Sequence, residues 1–151
     1  MFPIIASKPY YMIYFDRIME RFDAIDNSST AAKTKDKYGV VPATLKKFFS
    51  MFLGSLKSSY KAEKVKKLKI KRMRMPWRDA HNKVDCGIFL MRHLETFIGQ
   101  TVDEWDSGLQ KDNKTQLNNL RIKYFTALVT SDLNKHKGRN IQQAVEFGLR
   151  S

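Results

Sequence analysis

Residues 2–15 alternate loosely between apolar and polar positions, with Ile13 and Phe15 facing opposite to Tyr14. They carry the isoleucine and tyrosine enrichment of a strand. "RIMERFDAID" (17–26) predicts a turn and a second short strand ending at Asp26, and the polar, unpatterned stretch 27–39 predicts a loop. Val41, Leu45, Phe48, Phe49, Phe52, Leu53 and Leu56 then form one apolar stripe at helical spacing, with Pro42 in the first turn where a helix tolerates it. Over Lys64–Met75, lysines alternate with Leu68 and Ile70. This predicts a strand wet on one side, with a bulge near Arg72 where Met73 and Met75 fall out of phase. "CGIFLMRHLETFIG" (86–99) is apolar nearly all round, the pattern of a helix buried in mid-domain, with Gly99 as its stop. Further helices are predicted over 113–134 and 139–149. The order of elements predicts an α+β fold, a small mixed sheet packed with a central helix that starts at Cys86, in a single domain over 1–151.

Composition narrows the setting. An apolar content of 42% with 12% aromatic residues argues for a folded chain. The single cysteine excludes an internal disulfide, and no apolar run approaches the roughly 18 residues of a membrane span. No basic leader precedes the apolar N-terminus, so the expected location is intracellular, nuclear or cytoplasmic. The sequons at Asn27 and Asn113 then carry no weight. No metal-ligand spacing or phosphate-binding glycine loop is present, so no metal and no cofactor are expected. The net charge is +13, and Lys61–Arg78 holds nine Lys and Arg against the single Glu63. Such a stretch suits a polyanion, nucleic acid included, or is simply a solvated face.

The candidate chemistry lies at "RDAHNKVDCGIF" (78–89). Cys86 directly before an apolar helix would sit near orphan backbone N–H groups and the positive end of a helix dipole, an environment in which cysteines act as nucleophiles. Gly87 would let a substrate carbonyl approach the backbone closely. The alternative for a lone cysteine beside an apolar run is a small buried hydrophobe.

Asn82, Asp85, Cys86, Gly87, Ile88 and Phe89 resemble, at the same spacing, a motif of the ubiquitin-like-protein-specific cysteine proteases, the family that includes the SUMO proteases. "FLMRHLETF" looks like plant members of that family, including domains carried by transposon-related genes. Upstream, "FPIIAS", "YYMIYFD" and "FDAIDNS" are similar to the two family strands that bear the catalytic His and Asp, and "KYGVVPATLKKFF" to the helix after them. The resemblance covers most of the chain. Its start inside a family strand implies N-terminal truncation.

The resemblance implies a papain-like fold and a thiol peptidase that cleaves peptide or isopeptide bonds at the C-terminus of a SUMO-type protein, with no cofactor. Cys86 takes the nucleophile's position, and Asp26 that of the carboxylate orienting the base. Tyr10 and Trp77 would cover an extended tail, with Asn82 and Gly87 beside it; the alternative for Trp77 is simple core packing. The family's His falls on Pro9 and its oxyanion-hole Gln on Ala80, neither of which has a side chain for the task. His93, seven residues along the Cys86 helix, would lie roughly 10 Å away and reads as packing. His136 sits in a polar loop. His81 is the candidate for a substitute base or an oxyanion contact. Impaired catalysis follows, with two alternatives: an inactive relative that still binds a ubiquitin-like protein, or a basic nucleic-acid-binding module.

Overall fold

In the computed structural model, which describes residues 1–5, 10–28, 32–79, 81–82 and 84–149, the N-terminal apolar stretch forms two strands rather than one. β1 (Phe2–Ile4) pairs antiparallel with β2 (Tyr11–Asp16), Phe2 opposite Ile13 and Ile4 opposite Tyr11, so the chain must reverse between them. β2 pairs antiparallel with β3 (Arg21–Ile25), and β3 pairs parallel with β4 (Lys71–Arg72), giving a mixed sheet in the order β1-β2-β3-β4. The turn from β2 to β3 is held by Asp16, whose Oδ1 accepts from the backbone N–H of Ile18 and Met19 at 2.8 and 2.9 Å.

β2 is apolar on both faces, which is why its alternation looks loose in sequence. One face joins Tyr11 and Ile13 to Phe22 and Ala24 of β3 and to Tyr38, with Leu45, Leu68 and Ile70 packed around them. On the other face Met12 is fully buried and Tyr14 rests edge-on against Phe97, ring centroids 5.0 Å apart. Here β2 carries α4 (Cys86–Thr96), which starts at Cys86 as expected. Past its end, Gly99 has φ +109°, and a Cβ there would stand 2.6 Å from the Tyr14 hydroxyl, so the position requires glycine. The fold is thus α+β, with helices on both sides of a small sheet.

Two expectations fail, one in a stretch with no apolar pattern and one where a short apolar pattern was read at the wrong period. The expected loop over 27–39 contains a helix, α1 (Thr34–Tyr38), closed by Gly39 at φ +57°. The expected strand over 64–75 begins as the end of a helix, and only Lys71–Arg72 pairs in the sheet. After α2 (Val41–Ser55) comes α3 (Ser59–Lys67), whose Ala62 and Val65, three residues apart, seat against Leu53. β4 is only two residues long and has no bulge; Met73 and Met75 are buried beyond its end.

The chain forms two compact units, Met1–Asp112 and Asn113–Ser151. The second is a helical hairpin of α5 (Lys114–Thr130) and α6 (Lys137–Gly148). Asn113 caps α5, its Oδ1 accepting from Gln116 N at 2.9 Å. No described helix is long and apolar enough to cross a membrane.

Adjacent residues of α2 test this packing. Leu53 is 4% exposed and Phe52 is 55% exposed. Leu53→Ala should lower unfolding stability by about 2–4 kcal/mol, and Phe52→Ala should change it by no more than about 0.5 kcal/mol. Urea denaturation followed by the fluorescence of Trp77 and Trp105, both in the first unit, checks this; equal losses would contradict the helix orientation.

Candidate active site at the start of helix α4

The approach to α4 is shaped by Asn82. Its Oδ1 accepts from the backbone N–H of Val84 and Asp85 at 3.2 and 2.9 Å, and its Nδ2 donates to Asp85 Oδ2 at 2.8 Å. Asp85 is buried in the N-cap position, and its carboxylate makes no capping bond to the helix. Cys86, the first helical residue, is half-buried with a free thiol. Tyr10, just before β2, lies over the next residue: its Cδ2 is 3.8 Å from where a Cβ on Gly87 would stand. Tyr10, Cys86 and Gly87 are therefore neighbours, because β2 supports α4 from beneath. The polar atoms of Asn82 shape the loop ahead of Cys86. Pro9 and Ala80 lie outside the described residues.

Asp26 follows β3 and is 1% exposed. Its Oδ1 accepts from Ser28 N at 2.6 Å and from Lys37 Nζ at 2.9 Å. Its Oδ2 accepts from the Tyr38 hydroxyl and faces Arg72 Nε at 3.6 Å. A carboxylate has about four lone-pair positions; three accept from these donors, and the Arg72 guanidinium adds its charge close by. Burial, opposed by the Asp26 hydrogen bond, lowers the Lys37 pKa; burial and then the Asp26 charge raise that of Tyr38. No imidazole is among these partners. Lys37 and Tyr38 went unrecognised because they fall within the polar stretch assigned to a loop. The signal was there: Tyr38 is the lone aromatic of 27–39 and precedes a glycine that ends a helix.

Three histidines occupy three different settings. His93 is buried on α4 and accepts a hydrogen bond at Nε2 from Trp77 Nε1, 3.1 Å away. Its acceptor nitrogen is therefore unprotonated, and burial pushes its pKa down to about 3 despite the Asp26 charge. This residue is packing, as expected. Trp77 is also core: it is 5% exposed and edge-on to Trp105 at 5.0 Å, which corrects its expected role over a substrate tail. His81 has a side chain 95% exposed, with Asp79 as its charged neighbour at 3.7 Å. Asp79 fixes this loop, accepting from His81 N at 2.8 Å and donating its own N–H to Asn27 O at 3.1 Å, which ties the residue after Asp26 to the approach to α4. His136 is exposed, before α6 in the second unit.

A cavity of about 330 Å³ lies elsewhere, lined by Phe22, Lys35, Val40, Pro42, Lys46 and Ile70 among others. None of its lining residues belongs to the Cys86 neighbourhood, and its position carries no chemistry for the thiol. Among the described residues no group of three His, Cys, Asp or Glu side chains is placed to hold a metal ion. Comparison with protein-family models, with curated proteins and with solved structures gives no match.

Two outcomes follow from these environments. Asp26→Asn leaves Lys37 and Arg72, with side chains 6% and 14% exposed, facing a neutral group. A stability loss of roughly 3–5 kcal/mol is expected by denaturation, and near-native stability would contradict the cluster. His93 has the opposite kind of signature. Its folded pKa lies below its unfolded value near 6.5, so below that value the unfolded chain binds a proton that the folded chain refuses. Stability should therefore fall as pH drops from about 6.5 toward 3, by about 2 kcal/mol at pH 5 from this group. His93→Gln should show that much less pH dependence between pH 7 and 5; an unchanged slope would assign it to other groups.

Proposed function

We propose that the chain is a thiol-peptidase domain of the papain-like, ubiquitin-like-protein-specific kind, with Cys86 as nucleophile and with weakened turnover. The observation that carries this reading is Cys86 at the first position of α4, half-buried, with Tyr10 and Gly87 beside it. The order of two paired strands, a helix and then the Cys86 helix is the order that the sequence resemblance implies. The substrate class is the glycine-rich C-terminal tail of a SUMO-type protein, joined by a peptide or isopeptide bond. The setting would be nuclear or cytoplasmic deconjugation.

In the reaction, Cys86 Sγ adds to the carbonyl carbon of the tail's last residue, and the N–H groups of the first α4 turn are suited to the developing oxyanion. The C–N bond breaks, the amine leaves with a proton, and a thioester remains. Water hydrolyses it to a carboxylate and returns the thiol. Proton transfer is the weak link. Pro9 stands in the base's position, and Asp26 is taken up by Lys37, Tyr38 and Arg72. Exposed His81 is the one histidine in the loop ahead of Cys86. The commitment of Asp26 also favours a second reading, a relative that binds the tail without cleaving it.

A SUMO-type protein bearing a C-terminal electrophile separates these readings. Covalent labelling that disappears in Cys86→Ser supports the peptidase. Binding without labelling supports the second reading, and neither outcome rejects both. Pro9→His should raise hydrolysis of a fluorogenic tail substrate by more than about tenfold if Pro9 holds the place of the base.

A further inference from the structure

The positive charge is more segregated than the Lys61–Arg78 run suggests. Residues 33–78 hold 15 of the 28 Lys and Arg and two of the 15 acidic residues, Asp36 and Glu63. The segment carries +13, the charge of the whole chain, and everything outside it balances. Most of it forms the α2–α3 hairpin. Leu53, Ala62 and Val65 join the two helices, and Ser50 Oγ donates to Ala62 O at 3.0 Å. With those faces turned inward, Lys47, Lys57, Lys61, Lys66 and Lys67 are exposed. Three aromatic side chains are exposed with them: Phe48 at 61%, Phe52 at 55% and Tyr60 at 72%. Phe48 and Phe52 are four residues apart and so neighbour each other on one helix surface. The Tyr60 ring lies beneath Lys64 Nζ at 4.7 Å.

Lysines alone suit any polyanion. Exposed rings among them suit a polyanion that offers unpaired planar groups, because a base stacks on an aromatic ring while its phosphate meets an ammonium. A duplex hides its base faces by stacking, and an acidic protein surface has none to offer. We propose that the outward side of the α2–α3 hairpin binds single-stranded nucleic acid, with lysines on the phosphates and Phe48, Phe52 and Tyr60 stacked on bases. This site is independent of Cys86.

The test is fluorescence anisotropy of the whole chain with a short labelled single strand, and with its duplex, over a KCl titration. The strand should bind more tightly than the duplex. The slope of log affinity against log salt should be near −3 if about four phosphates are neutralised. Phe48→Ala with Phe52→Ala should weaken strand binding about tenfold and leave the salt slope unchanged. Lys61→Glu with Lys67→Glu should weaken it and flatten the slope, while Cys86→Ser should change nothing. Tryptophan fluorescence verifies that each variant is folded. Binding to duplex as tight as to the strand overturns the proposal. So does indifference to the phenylalanine change, equal competition by polyglutamate, or no binding at low salt.

Discussion

A carboxylate taken out of water costs several kcal/mol unless its lone pairs are filled, and at 1% exposure Asp26 has no solvent to fill them. Lys37 and Tyr38 at the end of α1 and the backbone of Ser28 donate hydrogen bonds to it, and Arg72 in β4 brings a positive charge alongside. Arg72 also donates to Ser28 O at 2.8 Å, which closes the arrangement. This single buried charge gives α1 a reason to fold in a polar stretch. It also holds the two-residue β4 beside β3, which two ladder positions alone would hold weakly. The Tyr38 ring, anchored by its hydroxyl, continues into the core and meets Tyr11 of β2, ring centroids 4.6 Å apart.

The same commitment shapes the candidate chemistry. A carboxylate that orients a catalytic imidazole needs a lone pair directed at it, and among the described residues the neighbours of Asp26 are two cations, a phenol and a backbone N–H. The thiol and the carboxylate are thus in different circumstances. Cys86 is half-buried at a helix start, beside Tyr10. Asp26 is part of the scaffold. The neutral His93 beneath α4 is scaffold too, tied to Trp77 and flanked by Trp105 at 5.2 Å. The α4 side of the sheet is aromatic, and the α2–α3 hairpin on the opposite side bears seven lysines against the single Glu63. A lysine-rich surface and a thiol at a helix start are two separate features of one unit.

Legibility followed the range of the interactions. The stripe from Val41 to Leu56 was readable because seven apolar residues at one period leave no competing pattern, and α2 occupies Val41–Ser55. The start of α4 at Cys86 was readable from a long apolar run with polar residues before it. The stretch from Lys61 to Met75 was not. Lysine tolerates helix and strand equally on a solvated face, and the two apolar positions that decide the matter, Ala62 and Val65, count only once Leu53 is opposite them. Trp77 stood between a substrate tail and the core because nothing near it in sequence decides between them. Its partners, His93 and Trp105, come from 16 and 28 residues farther along.

By itself the sequence determined the local periods: a strand reaching Asp26, a long amphipathic α2, a helix beginning at Cys86, and the surplus of positive charge. These depend on backbone geometry and side-chain spacing within a few residues. Only the tertiary structure decided what each singular residue does. Whether Asp26 meets an imidazole or Lys37, Tyr38 and Arg72 depends on which segments are brought to the end of β3. The burial of Trp77 beside His93 and Trp105 follows the same rule. A buried polar group takes the partners that packing supplies, and packing is set by contacts too distant in sequence to be read along it.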